Sequence, residues 1–363
     1  MNIINILNKE FHDKDDIIAL LSISDESELE LLRAKAEEIL FKHTGDKVFL
    51  RGLIEFSNYC VNDCNYCGIR KSANVGRYTL KMQDIIDSAL WSASQGYGSA
   101  VLQSGERRDE AFVDFVCEAI RNIKEKTKSV ILPEGLGITL SVGEQSEETY
   151  RRFFEAGAKR YLLRIESSNQ DLFSKIHPKE QSFENRYRCL KSLQSIGFQT
   201  GTGVMIGLPG QTIEDLANDV LFFRDNNIDM IGMGPFIPSA DTPMNAEIYP
   251  WDKERNLSLA LKMIAVSRIV LKDVNIASTT ALQAIKDGAR EDGLRFGANV
   301  IMPQQTPQTV RKDYQLYDGK PFLSESLNDL SIGLRIRVES IGRKLALNEQ
   351  GDPLHFFNRN SKF

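Results

Sequence analysis

Hydrophobic and polar positions along the chain switch between two periods. Short apolar runs rich in β-branched residues alternate with longer stretches in which apolar residues recur every three or four positions. The first such run is "DKVFLRGLIEFS" (46–57), and the helical pattern "KMQDIIDSALWSASQGYG" follows it. "SAVLQSGE" then reads as strand and "EAFVDFVCEAIRNIKEK" as helix, "LGITLSVG" as strand and "SEETYRRFFEAG" as helix. "KRYLLRIE" and "FENRYRCLKSLQSIG" repeat the alternation, as do "QTGTGVMIG" with "TIEDLANDVLFFRDNN" and "IDMIGMGPF" with "ERNLSLALKMIAVSRIVL". "NIAST", a single helix over "ALQAIKDGAREDGLRFG", and "ANVIMP" complete the series. About eight strand–helix alternations predict an α/β chain folded as a complete (β/α)8 barrel, the TIM-barrel arrangement. A doubly wound open sheet is the rival for the same pattern.

The flanks read differently. Residues 1–45 predict a helical N-terminal extension, with Ser24 as cap for a helix through "ELELLRAKAEEILFKHTG" and Gly45 ending it. Residues 46–305 form the barrel, and the less regular residues 306–363 predict a segment packed across it, as a lid or a bottom plug.

Composition changes this picture little. With 363 residues, 42% hydrophobic, the chain has ample material for a large core. Its net charge of −5 argues against a broad nucleic-acid surface. Neither a secretory leader nor an apolar stretch long enough to span a bilayer is visible, so the expectation is a cytoplasmic protein without a membrane partner.

The candidate chemistry begins where the first strand ends. "CVNDCNYCGIR" places Cys60, Cys64 and Cys67 within eight residues, three of the five cysteines in the chain. Cys117 and Cys189 sit in helical patterns and read as small core residues. Zinc in a closed structural site wants four ligands, usually from two separated pairs, and the four histidines here are scattered. An iron–sulfur cluster accepts three thiolates when its last iron takes something else, and C-x3-C-x2-C lets one loop wrap three corners of a cube.

Other polar residues fall at strand C-terminal ends, where barrel active sites lie. They include Glu55, Gln103, Ser104, Glu106, Thr139, Ser141, Glu144, Arg164, Glu166, Ser278, Thr279 and Thr280. So many at one mouth imply a polar ligand. "GLPGQT" (207–212) lacks the lysine of a phosphate-binding P-loop, so its glycines read instead as points where backbone approaches a ligand.

The three cysteines, with Tyr66 just before the third, resemble the radical S-adenosylmethionine (SAM) superfamily, and "QSGE" sits where its SAM-binding turn belongs. Almost the whole chain resembles the HydE family of FeFe-hydrogenase maturases. "IEFSNYCVNDCNYCGIR", "TLSVGE", "RYLLRIESSN", "SFENR", "GVMIGLPGQT", "IGMGPFIP", "GANVIMP" and "YQLYDGK" carry that likeness. Biotin synthase and methylornithine synthase are more distant relatives.

The resemblance implies one 4Fe–4S cluster on Cys60, Cys64 and Cys67, with SAM chelated to its open iron and cleaved by one electron to a 5′-deoxyadenosyl radical. It places Tyr66 near the adenosyl group, although plain loop packing is its other reading. It assigns Ser104, Glu106, Glu166 and Arg186 to SAM, a carboxylate suiting ammonium or hydroxyls and a guanidinium fork suiting a carboxylate. It maps a substrate cavity onto Thr139, Ser141, Arg160, Thr279, Thr280 and Tyr317. Arg160 has a second reading, an ordinary barrel ion pair.

The implied substrate is a small iron species carrying carbon monoxide, cyanide and cysteine. The implied partners are a reducing electron donor and other hydrogenase-maturation proteins. The chain departs from the family in places. "YDGKPFLSESLNDLSIG" lacks the three extra cysteines of an accessory cluster, "RRDE" follows "QSGE", and Ile165 stands where histidine is common. Too few cysteines remain for the sulfur-donating second cluster of biotin synthase. A methylornithine synthase-like mutase, a HydE-like paralogue with another small substrate and an iron–sulfur electron carrier are the alternatives.

Overall fold

The computed structural model describes residues 3–245, 247 and 251–360. Eight parallel strands frame it: β1 (Lys47–Ser57), β2 (Ser99–Ser104), β3 (Gly137–Ser141), β4 (Arg160–Leu162), β5 (Gln199–Thr202), β6 (Met230–Ile231), β7 (Asn275–Ile276) and β8 (Val300–Ile301). In the sheet β8 pairs with β1, and each later strand follows its predecessor through β7. Sequential order with helical crossovers belongs to a TIM-barrel-like fold and excludes the doubly wound rival. The complete barrel expected from the sequence is thinnest at β7 and β8. Those strands meet through one bridge, Ala277 to Val300, with Ser278 N donating to Val300 O at 2.8 Å.

The strands are buried on both faces, which is why β1 reads as a nearly unbroken apolar run. Each crossover helix lays one apolar stripe on the sheet. In Glu110–Lys126 the stripe is Phe112, Val113, Val116, Cys117, Ile120 and Ile123, and Asp109 caps the first turn by accepting from Phe112 N.

Two local expectations are corrected. The cap of helix Glu26–Thr44 is Asp25, not Ser24, because the Asp25 carboxylate accepts from both Ser27 N and Glu28 N. The single helix expected over 281–297 is two, Thr280–Ile285 and Ala289–Arg295, parted where Gly288 takes φ +82°.

The segment after residue 305 covers both ends of the barrel. Residues 313–322 form a strap over the C-terminal mouth. Lys344–Ala346 pairs with the start of β1, and the chain then passes beneath the barrel at 350–352. Lid and plug are thus two parts of one segment. No helix among the described residues is long and apolar enough to cross a membrane.

Candidate active site

The cysteine loop leaves β1 and is held on several sides. Asn58 Nδ2 donates to Gly76 O and to Asp313 O, both at 2.7 Å. Arg77 Nη1 donates to Asn58 O at 2.6 Å and Ile69 O at 2.9 Å. Asp63 accepts from Arg70 at 2.7 and 2.8 Å, which with Ser72 holds its carboxyl well below the usual range. The glycine behind the third cysteine has a steric reason. A Cβ on Gly68 would lie 2.1 Å from Gln315 O, while Gly68 N donates to Leu316 O at 3.0 Å. Loop and strap therefore touch backbone to backbone.

Cys60, Cys64 and Cys67 are free thiols lining a cavity of ≈ 310 Å³ at the mouth. Glu106 N approaches Cys60 Sγ at 3.4 Å, and Cys64 Sγ lies 3.5 Å from Gln181 Oε1. Burial raises all three thiols, Cys67 to about 12. Three thiols lining one cavity suit a centre that takes three thiolates and leaves a position open to a ligand.

Beside the cysteines lie Glu166 and Arg186. Glu166 follows β4 in the left-handed region, φ +63°, a conformation that costs a non-glycine residue about 1–3 kcal/mol. Its amide donates to Gly203 O and its carbonyl accepts from Met205 N, so the backbone on both sides fixes it. Burial raises its carboxyl against the pull of Arg164 and Arg186. Glu166 Oε2 lies 2.9 Å from Arg164 Nη2, yet this buried atom makes no aligned hydrogen bond. Such an atom lining a cavity is suited to a ligand donor.

Arg186 is on helix Phe183–Ile196. Its Nε donates to Glu144 Oε1 at 2.6 Å and its Nη1 to Arg164 O, leaving Nη2 as the remaining nitrogen of the fork. Burial pulls its pKa down, but the Glu144 carboxylate beside it offsets that, so it stays charged. The Tyr66 hydroxyl lies 3.4 Å from both Glu166 Oε1 and His177 Nε2. His177 Nδ1 pairs with Phe173 O at 2.8 Å, and burial with Arg186 nearby lowers the ring to about 3. A neutral ring donating from Nδ1 leaves Nε2 to accept from Tyr66.

Ser104 and Glu106 also line the cavity. The Ser104 hydroxyl donates to Gly105 O at 2.7 Å. Glu106 accepts from Glu144 N at 2.8 Å and from Arg108.

Away from the cysteines the cavity is bordered by Ser141, Thr279, Thr280 and Tyr317. Thr280 Oγ1 and the Tyr317 hydroxyl are 3.1 Å apart, and burial raises that phenol to about 12. Two expected residues are not brought here. Thr139 borders a separate space of only ≈ 20 Å³ below, beside Arg51. Arg160, the first residue of β4, turns to the barrel floor. There its Nη1 donates to Asp352 and to Gln350 O at 3.1 Å, its Nη2 to Ser99 Oγ at 2.7 Å and its Nε to Thr139 Oγ1 at 3.1 Å. The ion-pair reading of Arg160 is the one its contacts match. The "GLPGQT" turn is likewise closed on itself. Gln211 accepts from Gly207 N at 2.7 Å, and a Cβ on Gly207 would lie 2.0 Å from Asn256.

The site also holds residues the motifs do not single out. Lys320 Nζ meets Glu55 Oε1 at 2.5 Å and donates to Tyr314 O at 2.8 Å, while Gln304 Nε2 donates to Glu55 Oε2 at 2.8 Å. Gln181 and His177 join the cysteine side. The strand-end position of Glu55 and the "YQLYDGK" stretch that holds Tyr314 and Lys320 are the signals available beforehand; Gln304, Gln181 and His177 have none.

Residues 54–223 match the profile of the Radical SAM superfamily. The chain is 44% identical over 326 residues to the [FeFe] hydrogenase maturase subunit HydE of Thermotoga maritima, covering 89% of each protein. It is 29% identical to a 3-methylornithine synthase of Methanosarcina acetivorans, over 92% of this chain and 90% of that one. The crystal structure of methylornithine synthase (PylB) superposes with a TM-score of 0.79 at 24% identity, covering 95% of this chain and 97% of that one.

Proposed function

Because the chain belongs to the HydE family of radical SAM enzymes, we propose that it acts in FeFe-hydrogenase maturation, on a small cysteine-bound iron–carbonyl–cyanide precursor of the hydrogenase cofactor. The observation that carries this reading is one cavity bordered on one side by three thiols, Glu166 and Arg186, and elsewhere by Ser141, Thr279, Thr280 and Tyr317. Cys60, Cys64 and Cys67 would hold a 4Fe–4S cluster, and Ser104, Glu106, Glu166 and Arg186 would hold SAM. Together, when bound, these supply the 5′-deoxyadenosyl radical.

The chain's own part is binding and exclusion. Arg186, kept charged by Glu144, has its Nη2 left to donate to a carboxylate. Glu166 Oε2, beside Arg164 but without an aligned hydrogen bond, would accept from an ammonium or hydroxyl donor. Tyr66, tied to Glu166 and His177, packs one wall and keeps water from that side. The hydroxyls of Thr279, Thr280 and Tyr317 suit a compact polar ligand. Tyr314, Leu316 and Tyr317 of the strap line the volume, which would limit the solvent reaching a reactive species there. Arg160 and Thr139 would then act from below, through the floor, while residues 313–322 would shape the cavity mouth itself.

A second reading rests on Glu55. An amino-acid mutase needs an acid for the substrate ammonium, and Glu55 borders the cavity, although Lys320 and Gln304 engage it. The test supplies this protein in place of the native maturase in an anaerobic hydrogenase-activation assay. Hydrogenase activity that requires SAM and Cys64 is the expected result. An inactive assay alongside conversion of lysine to methylornithine would transfer the assignment to the mutase.

A further inference from the structure

Glu106 and Arg186 carry opposite charges at the cavity wall, yet they come from distant parts of the chain. Glu106 follows β2, whereas Arg186 belongs to the first turn of helix Phe183–Ile196. Glu144, in the turn after β3, touches both. Its carboxylate accepts from Arg186 Nε at 2.6 Å, and its backbone N–H donates to Glu106 Oε2 at 2.8 Å. The same residue thus holds a base by its acidic end and an acid by its amide. It is 2% exposed and does not border the cavity.

Both contacts are tightly held. Glu144 Oε2 accepts from Asn185 Nδ2, so the carboxylate grips two successive positions of the helix. On the other side, Gly143 takes φ +77°, and a Cβ there would lie 2.4 Å from Glu106 Cγ. Only glycine lets the turn press against the Glu106 side chain where the Glu144 amide reaches it. Charge is balanced as well. Arg108, half exposed, pairs with Glu106 and stands 3.5 Å from Glu144, so two acids face two arginines before any ligand enters. A ligand end with one positive and one negative charge leaves that balance intact, whereas a lone charge upsets it.

We propose that Glu144 is a positioning residue that sets the separation of Glu106 and Arg186 to that of the ammonium and carboxylate of an α-amino acid. The inference rests on the reading that these two residues hold the amino-acid end of SAM. A pair already fixed in place loses little freedom when a ligand binds. An Arg186 released from Glu144 must instead be ordered by the ligand itself, at a cost in affinity. Adenosine compounds that lack the amino-acid end gain nothing from Glu144.

The test uses the full-length protein with its cluster reconstituted anaerobically and calorimetric titration with SAM, S-adenosylhomocysteine and 5′-methylthioadenosine. The last keeps the adenosyl part and lacks the ammonium and carboxylate. Glu144→Gln preserves the size and the backbone N–H but removes the charge opposite Arg186. It should weaken SAM and S-adenosylhomocysteine by roughly tenfold. Iron content and affinity for 5′-methylthioadenosine should stay at wild type. Arg186→Ala should weaken the same two ligands, and adding Glu144→Gln to it should cost nothing further, because the effect passes through Arg186. If Glu144→Gln leaves SAM affinity unchanged while Arg186→Ala weakens it, the positioning role is overturned and the SAM reading stands. Equal weakening of all three ligands also overturns it, since the loss is then one of general site structure. So does full additivity of the two substitutions. SAM affinity untouched by Arg186→Ala removes the underlying reading, and the inference with it.

Discussion

The two ends of the barrel each bury an arginine, and the two residues look alike in the sequence. Arg160 and Arg186 are both almost wholly buried, and both belong to stretches that resemble the family's motifs. Their surroundings differ. Arg160 spends all three guanidinium nitrogens on Asp352, Gln350, Ser99 and Thr139, and the neighbouring space is ≈ 20 Å³. Arg186 spends two nitrogens, borders ≈ 310 Å³, and stands near a carboxylate oxygen with no aligned donor. Burial of a charge is therefore a poor sign of a ligand site. Incomplete satisfaction beside open volume is a better one.

The largest effect that sharpens this contrast is at the cysteines. Cys64→Ala should abolish SAM cleavage and leave little bound iron, while reconstituted wild-type protein holds close to four irons per chain by the three-thiolate reading. Eight irons with a second spectroscopic species would break the single-cluster reading. At the floor, Arg160→Met leaves Asp352 without its partner and should cost about 3 kcal/mol or more in denaturant unfolding, without altering SAM affinity once folded. Lost SAM affinity in a protein of unchanged stability would reverse the roles assigned to the two ends.

Arg186→Ala should do the opposite in kind, weakening SAM binding by about 1.5–3 kcal/mol in a titration while cluster assembly proceeds. Unchanged affinity would remove Arg186 from the site. The smallest effect expected is at Thr280→Val, which removes a hydrogen bond to Tyr317 worth about 0.5–1.5 kcal/mol. It should disturb substrate turnover while leaving substrate-free SAM cleavage near wild type. Equal losses in both would place Thr280 with the SAM residues instead.

What the sequence shows of this molecule is what is local. The cysteine spacing, the eight strands and most helix limits follow from residues within one turn or one strand of each other. Asp25 displaces Ser24 as a cap because two acceptable residues are adjacent and only the geometry selects between them. The partners of the site are another matter. Glu144 lies 42 residues from Arg186, and Glu55 lies 265 residues from Lys320. No period or spacing carries such a pairing. The fate of Arg160 was equally hidden, because Asp352 belongs to a C-terminal stretch with no motif of its own.

The pairing of β1 has a bearing on how the chain is made. That strand is flanked by β2 and β8, by Lys344–Ala346 along its first residues, and by Lys320 at Glu55. Contacts this distant in sequence are the slowest to form. On the ribosome the cysteine loop emerges well before residues 300–346, which supply the last neighbours of its strand. Until those residues follow, the nascent protein carries three reduced thiols beside an unfinished wall. Removing residues 344–346 would leave that wall permanently unfinished, and the damage would surface about 300 residues earlier, at β1.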